Sequence, residues 1–233
     1  MLDTRISPFI LGLFILLNSR SWVWARTISV YCTWPARRNM KLLIVADSHG
    51  KKLQTIFKKL EPEWNVLVIA LGRKTSLLRH FYDGRISELI AYDPDAIVLH
   101  SGHNDVAYHG RFNREPIGIV ELLPELLDFR GYLQVNHPRA IIYLSSLFPR
   151  TQADNFSVEQ MGIYNRMAKR YMESVRSASN SGNFRRLLNR VLWKSIKKCE
   201  VNPEYFDGGG LHLNVTGQEA VCVAWIAELQ SVE

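Results

Sequence analysis

Short apolar segments alternate with helix-like segments along this chain, and that alternation limits the folds open to it more than any other feature. We predict strands at 42–46, 65–71, 95–100 and 140–147, which are rich in aliphatic and β-branched residues. Strands that alternate with helices form βαβ units with right-handed crossovers, and such units build a parallel sheet covered by helices on both faces. The order therefore predicts an α/β protein, a three-layer α/β/α sandwich around a doubly wound parallel sheet of about five strands.

Helical periodicity fills most of the chain between and after these strands. It predicts helices over 75–81, 84–91, 116–129, 158–177 and 183–198. A last helix should begin near Thr216, because Thr216-Gly217-Gln218-Glu219 matches a capping box.

The N-terminal segment is apolar but short. Residues 6–17 are mainly apolar, whereas about 20 residues are needed to cross a bilayer, so we expect no transmembrane span. We interpret residues 1–25 as a signal peptide or a dispensable leader, residues 26–39 as a linker and residues 40–233 as the folded domain. The first interpretation implies secretion and the second a cytoplasmic protein.

The first predicted strand runs directly into a serine. Residues 42–46 are followed by Asp47-Ser48-His49-Gly50 and then by a basic, helix-like segment. A parallel strand that stops there puts the Ser48 hydroxyl at the carboxyl edge of the sheet, where open α/β folds bind ligands and helix N-termini can stabilise an oxyanion. Ser48 is therefore a candidate nucleophile, and a helix N-cap is the alternative interpretation of the same residue.

Later segments offer the other groups that acyl transfer needs, namely a base and donors for an oxyanion. Gly72 ends the second strand, where its backbone amide can approach a substrate closely. Asn104 follows the third strand and offers a side-chain amide, and Asp105 can support the same loop by accepting hydrogen bonds. His212 lies in a glycine-rich loop before the last helix, from which it can fold back to the strand edge as a base.

These residues resemble, in their order, the motifs of the SGNH hydrolases, the GDSL-like esterase and lipase family. The resemblance covers residues 40 to about 230 and depends on Ala46-Asp47-Ser48-His49, Gly72, Gly102-His103-Asn104-Asp105 and His212. It implies a flavodoxin-like sandwich and a serine esterase that cleaves a small acyl or O-acetyl ester without a cofactor. The implied roles are Ser48 as nucleophile, His212 as general base, and the Ser48 amide, the Gly72 amide and the Asn104 side chain as the oxyanion hole.

One position departs from the family pattern. The family places an Asp three residues before the His, and this chain has Gly209 there, while Asp207 lies five residues before His212. Three interpretations stay open: Asp207 reaches His212 through the glycine-rich loop, a backbone carbonyl orients His212 in a Ser-His dyad, or the site is impaired. The third would make the protein a binding module for RNA, glycan or protein on the same fold.

Metal-binding motifs are absent from the sequence. The three cysteines, at 32, 199 and 222, form no C-x-x-C pair. His49, His100 and His103 fall near the predicted strand edge, but their spacing matches no zinc motif. We expect neither a metal nor another cofactor.

The charge of the chain bears on its partners. The formal net charge is +7, and six cations without an intervening acid lie between residues 183 and 198: Arg185, Arg186, Arg190, Lys194, Lys197 and Lys198. We interpret them as the solvated face of a helix in preference to a phosphate or RNA site, for which Arg185, Arg186 and Arg190 would be the contacts. The expected partner is a small ester, and we expect a monomer.

Overall fold

A computed structural model describes residues 39–70, 91–106, 119–151, 157–177 and 183–231. The predicted leader at 1–25 and all of the predicted linker except Asn39 lie outside the described residues. So do Gly72, the helix predicted over 75–81 and all but the last residue of the helix predicted over 84–91. All of the described residues fall within one compact unit of the chain, 35–233.

Five parallel strands form the central sheet. They are β1 Lys41–Ala46, β2 Asn65–Ala70, β3 Ala96–His100, β4 Ile141–Ser145 and β5 Phe184–Leu187, in the spatial order β2-β1-β3-β4-β5. β1 lies inside the sheet and the chain winds outward from it in both directions, so β1, β3 and β4 each have a neighbour on both sides. The register joins Ala46 to Ala70 on one side and to His100 on the other, which aligns the carboxyl ends of the three strands.

Helices cover both faces of this sheet, which confirms the predicted three-layer α/β/α sandwich. They are α1 Leu53–Leu60, α2 His103–Val106, α3 Ile119–Asn136, α4 Val158–Ser177 and α5 Val215–Gln230, with short 3₁₀ turns at Ser48–Gly50, Arg190–Leu192 and Pro203–Tyr205. α1 packs against α5, and α3 packs against α4. Among the described helices, none combines the length and apolar composition that crossing a membrane requires.

The core lies in the sheet itself. Every residue from Leu42 to Ala46 is buried, as is every residue from Ala96 to His100, because helices cover both faces of these inner strands. Phe57, Trp64 and Trp225 pack their rings together at the contact between α1, β2 and α5. The apolar runs that predicted β1 and β3 are therefore required by burial on both faces.

The fifth strand corrects the prediction of a helix over 183–198. Phe184–Leu187 pairs with Ile142–Ser145 of β4 as an edge strand, with Phe184 and Leu187 buried. A 3₁₀ turn and a short antiparallel hairpin of β6 Trp193–Ser195 and β7 Glu200–Val201 follow. A short strand followed by a tight turn gives the apolar residues a spacing similar to that of a helix. Pairing with β4 determines the structure in place of this local pattern.

The predicted capping box of the last helix is also wrong. The N-cap of α5 is Asn214, whose side-chain oxygen accepts a hydrogen bond from the Gly217 amide at 2.9 Å. The Asn214 side-chain nitrogen donates to the carbonyls of Glu204 and Phe206. Asn is as good an N-cap as Ser or Thr, and these additional bonds fix the cap two residues before Thr216.

Candidate active site at the carboxyl edge of the sheet

Ser48 lies in a 3₁₀ turn at the carboxyl end of β1 and is half-buried. The preceding residue, Asp47, continues the strand pairing, because its amide donates to the His100 carbonyl of β3 at 3.2 Å. The Asp47 side chain caps the turn by accepting a hydrogen bond from the His49 amide at 3.0 Å. Asp47, and not Ser48, is therefore the cap of this turn.

A buried pair of side chains joins this turn to the segment that follows β3. One oxygen of Asp47, Oδ2, accepts a hydrogen bond from the His103 amide at 3.2 Å and lies 2.7 Å from His103 Nδ1. Both side chains are almost completely buried, at 2% and 0% exposure. We call this pair the Asp47–His103 clamp. It fixes the residues on either side of it, Ser48 and Asn104, relative to each other.

The protonation of His103 follows from its partners. Its Nε2 lies 2.9 Å from the amide nitrogen of Phe148, which can only donate, so Nε2 accepts and Nδ1 carries the proton given to Asp47. Burial lowers the pKa of His103 well below its ordinary value, and the nearby Arg150 and His212 lower it further. The clamp is therefore a hydrogen bond between a carboxylate and a neutral imidazole.

The hydrogen bonds of His103 also argue against a metal site at this edge. Ligand atoms of Asp47, His49 and His103 lie within 4.8 Å of one another, which is close enough to consider a cation. A histidine ligand needs a free lone pair on a ring nitrogen. In His103 the Nε2 lone pair accepts from Phe148 and Nδ1 is protonated, so His103 offers no lone pair in this arrangement.

Asn104 and Asp105 lie in the short helix α2, directly after the clamp. Gly102 leads into it with a positive φ of 110°. The Asn104 side-chain nitrogen is buried and has no hydrogen-bond partner among the described residues. A buried amide donor without an acceptor is costly unless a ligand supplies one. Asp105 is buried in the same helix. The pKa of Tyr171 on α4 is raised, mainly because Tyr171 is buried and also because Asp105 is nearby.

His212 reaches the same edge from the other end of the domain. Its ring lies 4.9 Å from that of His49, centroid to centroid, and the His49 ring lies 4.2 Å from that of His103. The three rings form a row from the exposed His212 to the buried His103. Burial is the main cause that lowers the pKa of His49 well below its ordinary value, so the middle ring is neutral. His212 thus lies beside the residue that follows Ser48.

The loop that carries His212 is closed by its backbone. The Asp207 amide donates to the His212 carbonyl at 2.9 Å, and the Gly210 amide donates to the Asp207 carbonyl at 2.9 Å. The Asp207 side chain is exposed and makes no hydrogen bond or ion pair with His212 in the described part of the chain. Its Oδ1 lies 3.5 Å from the point that a Cβ on Gly209 would occupy. In the described structure the Asp207 carboxylate therefore lies next to Gly209 and is not hydrogen-bonded to the His212 imidazole.

Two buried polar networks hold the strand ends and were not expected from the sequence. Arg150 exchanges 2.8 Å backbone hydrogen bonds with the side chain of Asn165 on α4, and its guanidinium lies over the Tyr164 ring. Asn189 donates to Ser145 and accepts from Trp225 Nε1 at 2.8 Å. The hydrogen bonds among these contacts join residues 15 to 44 positions apart in the chain, so no local pattern signals them.

The structure therefore brings three of the predicted site residues to one edge of the sheet. Ser48 and Asn104 flank the clamp, and His212 lies beside His49. Asp207 lies on the same loop as His212 without contacting its ring, and Gly72 lies outside the described residues. Asp47 and His103 are the residues whose importance the spacing of the motifs did not show.

Comparison with known proteins supports the fold. No protein-family model matches the sequence, and no curated protein matches it. An acetyl xylan esterase matches the structure with a TM-score of 0.60 and 14% identity, over 82% of this chain and 100% of that chain. The chain has the fold of this esterase.

Two further structures agree. A protein provisionally assigned as a GDSL-like lipase from Parabacteroides merdae matches with a TM-score of 0.58 and 13% identity, over 82% of this chain and 95% of that chain. A catalytic mutant of an acetylxylan esterase from Geobacillus stearothermophilus matches with a TM-score of 0.52 and 20% identity, over 84% and 96%. The resemblance drawn from the motifs is thereby confirmed at the level of the fold.

Proposed function

We propose that this protein is a serine hydrolase that cleaves a small acyl or O-acetyl ester at the carboxyl edge of β1 and β3. The observation that carries this proposal is the buried Asn104 side-chain nitrogen without an acceptor, one residue from the clamp that also fixes Ser48. A donor held in this way is preorganised for an oxyanion. The esterase names of the structures that share the fold agree with this reaction class.

The proposed reaction has two steps. His212 takes the proton of the Ser48 hydroxyl while the Ser48 oxygen attacks the ester carbonyl. The Asn104 side chain and the backbone amides of Ser48 and Gly72 donate hydrogen bonds to the resulting oxyanion. The intermediate then collapses to an acyl-enzyme, and the alcohol leaves with the proton from His212. In the second step His212 takes a proton from water, whose oxygen attacks the acyl carbonyl. His212 then gives this proton to the departing Ser48 oxygen, which releases the acid and restores the Ser48 hydroxyl.

The orientation of His212 is the open part of this proposal. Asp207 is the candidate acid, and the alternative is a Ser-His dyad in which a backbone carbonyl and the ring contact with His49 orient His212. The closed backbone of residues 207–212 and the 4.9 Å contact with His49 support the dyad, because both restrict the ring without using a carboxylate. Asp105 is proposed to support the loop that carries Asn104.

Labelling by a fluorophosphonate probe tests the nucleophile. We expect the wild-type protein to be labelled and to hydrolyse p-nitrophenyl acetate, and Ser48→Ala to lose both activities. Ser101→Ala is the matched control, because Ser101 follows β3 at the same edge and is 7% exposed. Equal labelling of the wild type and of folded Ser48→Ala would overturn the proposal.

Kinetics of Asn104→Ala test the oxyanion donor. Removing one such donor typically lowers kcat by about 10²–10³ because the lost interaction forms only in the transition state. We expect a loss of that size in kcat with little change in KM. A variant that raises KM at constant kcat would show that Asn104 binds the ester without stabilising the oxyanion.

A further inference from the structure

The positive charge of the domain is concentrated in one part of the chain. Residues 157–201 contain ten Lys and Arg and three Glu, so the net charge of this stretch is +7, equal to the formal net charge of the whole chain. The rest of the folded domain, 40–156 and 202–233, has fourteen Lys and Arg and eighteen Asp and Glu and is net negative. The charges are segregated, not spread over the surface.

This stretch folds so that its two cation-bearing segments lie next to each other. The Lys169 ammonium of α4 donates to the Lys197 carbonyl at 3.3 Å, and the Arg186 guanidinium donates to the Arg176 carbonyl at 2.8 Å. The segment 186–197 therefore runs antiparallel to α4, from the last turn of the helix back to the middle of the helix. We call α4 and residues 185–198 together the basic surface; the cations that they carry are Arg166, Lys169, Arg170, Arg176, Arg185, Arg186, Arg190, Lys194, Lys197 and Lys198.

Few groups on the basic surface neutralise it. Glu173 lies on α4 between Arg170 and Arg176, and Glu200 lies 3.9 Å from the Lys198 ammonium, with both of these side chains exposed. Glu159 lies in the first turn of α4. Because the segment 183–198 is an edge strand, a turn and a hairpin strand, its cations are not the solvated face of an amphipathic helix, which was the alternative explanation for them.

The side chains fit a phosphate backbone better than other anionic partners. Six of the ten cations are Arg, whose planar fork binds phosphate oxygens in pairs. The aromatic residues of these segments, Tyr164, Tyr171, Phe184 and Trp193, are buried, so none is available to stack on unpaired bases or to enter a bilayer. The exposed large apolar residues among them, Val158 and Ile163, lie in the first half of α4, away from the hairpin.

We propose that the basic surface binds the phosphate backbone of a nucleic-acid duplex without reading its sequence. α4 has 20 residues and is about 30 Å long, close to one turn of a duplex, which carries one negative charge per roughly 1.7 Å. A duplex is preferred over a single strand because its charge density is higher and the surface offers no exposed ring for stacking. This activity is independent of the proposed esterase site, since no site residue belongs to the basic surface.

Fluorescence anisotropy with a labelled 20-base-pair DNA duplex and the 20-nucleotide single strand tests the proposal on the full chain. We expect micromolar binding of the duplex at 50 mM salt, weaker binding of the single strand, and a slope of log K against log salt of about −4, which corresponds to four or five phosphate contacts. The triple variant Arg170→Gln, Arg190→Gln, Lys194→Gln should weaken binding at least tenfold and bring the slope closer to zero by about 2.7, or about 0.9 for each lost phosphate contact. These three side chains make no hydrogen bond or ion pair in the described structure.

The matched control neutralises three exposed cations elsewhere, with Lys41→Gln, Lys58→Gln and Arg139→Gln. We expect this control to bind the duplex within about twofold of the wild type, and both triple variants to keep wild-type esterase turnover and thermal midpoint. Equal weakening by the two triples would show that only net charge matters and would overturn the proposal. So would the absence of duplex binding at 50 mM salt, or binding to phosphatidylserine vesicles in preference to the duplex.

Discussion

The two halves of the candidate site are held in different ways. Ser48 and Asn104 flank the Asp47–His103 clamp, which is buried. Both carboxylate oxygens of Asp47 and both ring nitrogens of His103 are hydrogen-bonded. His212 lies on an exposed glycine-rich loop, where backbone hydrogen bonds close the loop and Asp207 makes no described hydrogen bond or ion pair with the imidazole. The proposed nucleophile and the proposed oxyanion donor are therefore positioned by the core, whereas the proposed base lies on a loop at the surface. Such a difference locates the weak point of the site in the base.

Two aspartates, one in each half, provide the largest expected contrast. Asp47→Asn replaces an acceptor of three hydrogen bonds by a group that can accept only at one atom, and leaves at least one buried donor unpaired. We expect this variant to lose about 3 kcal/mol of unfolding free energy, because breaking a buried charged hydrogen bond is far costlier than losing an exposed one. Asp207→Asn, at an exposed position, should stay within about 0.5 kcal/mol of the wild type.

Urea denaturation followed by tryptophan fluorescence measures both variants. The contrast between the two halves fails if the midpoints of Asp47→Asn and Asp207→Asn shift by similar amounts. Wild-type stability of Asp47→Asn combined with a loss of esterase activity would show that the clamp positions Ser48 without contributing to the fold.

The clamp half should also make stability depend on pH. Burial lowers the pKa of His49, His100 and His103 well below the ordinary value in the folded protein, so the unfolded chain binds more protons once the pH falls below about 6.5. The stability that these neutral rings provide is complete above that pH and is lost as the pH falls towards their folded values. Each ring contributes a slope of up to about 1.4 kcal/mol per pH unit.

Denaturation midpoints measured between pH 7.5 and pH 5 check this dependence. We expect the unfolding free energy to fall steeply below pH 6.5 and the slope to shrink by about a third in His49→Phe, which keeps a ring between its neighbours. A flat profile from pH 7.5 to pH 5 would mean that the three histidines can be protonated in the folded state. Water would then reach this part of the site more readily than the burial of the rings indicates.

Sequence patterns predicted the fold from the strands that are buried on both faces. β1 and β3 carry uninterrupted apolar runs because helices cover both sides of them. β5 was missed because an edge strand needs only two buried residues, Phe184 and Leu187, and two arginines separate them. Periodicity cannot distinguish so short a strand from one turn of a helix.

The parts of the site that directly follow predicted strands could be predicted from the sequence. Ser48 and Asn104 follow neighbouring parallel strands, so adjacency in the sheet is enough to bring them together. The clamp between Asp47 and His103 spans 56 residues and depends on ring orientation and on the Phe148 amide, which no spacing rule contains. The position of Asp207 depends on the closure of a glycine loop, where the backbone has more freedom than elsewhere.

The base half can be tested by restoring an acid to the loop. Gly209 has no positive φ, and a Cβ there would meet only Asp207 Oδ1, at an ordinary 3.5 Å, so Gly209→Asp should fold normally. If His212 lacks an orienting carboxylate, this variant should raise kcat for p-nitrophenyl acetate by about tenfold, a part of the roughly 10⁴ that the acid of a serine protease triad contributes in the best-studied case. Gly208→Asp is the matched control, since it adds the same charge one residue away at a position with open space around it.

Two carboxylates at 207 and 209 would repel each other, so the double variant Asp207→Asn, Gly209→Asp gives the cleaner measurement. An increase in the double variant that exceeds the increase in Gly209→Asp alone would show that the restored acid works best without its neighbour. A loss of turnover in Asp207→Asn, with no gain in either variant at 209, would instead show that Asp207 moves onto His212 during the reaction. Asp207 would then hold His212 as Asp47 holds His103, and the difference between the two halves of the site would exist only in the absence of substrate.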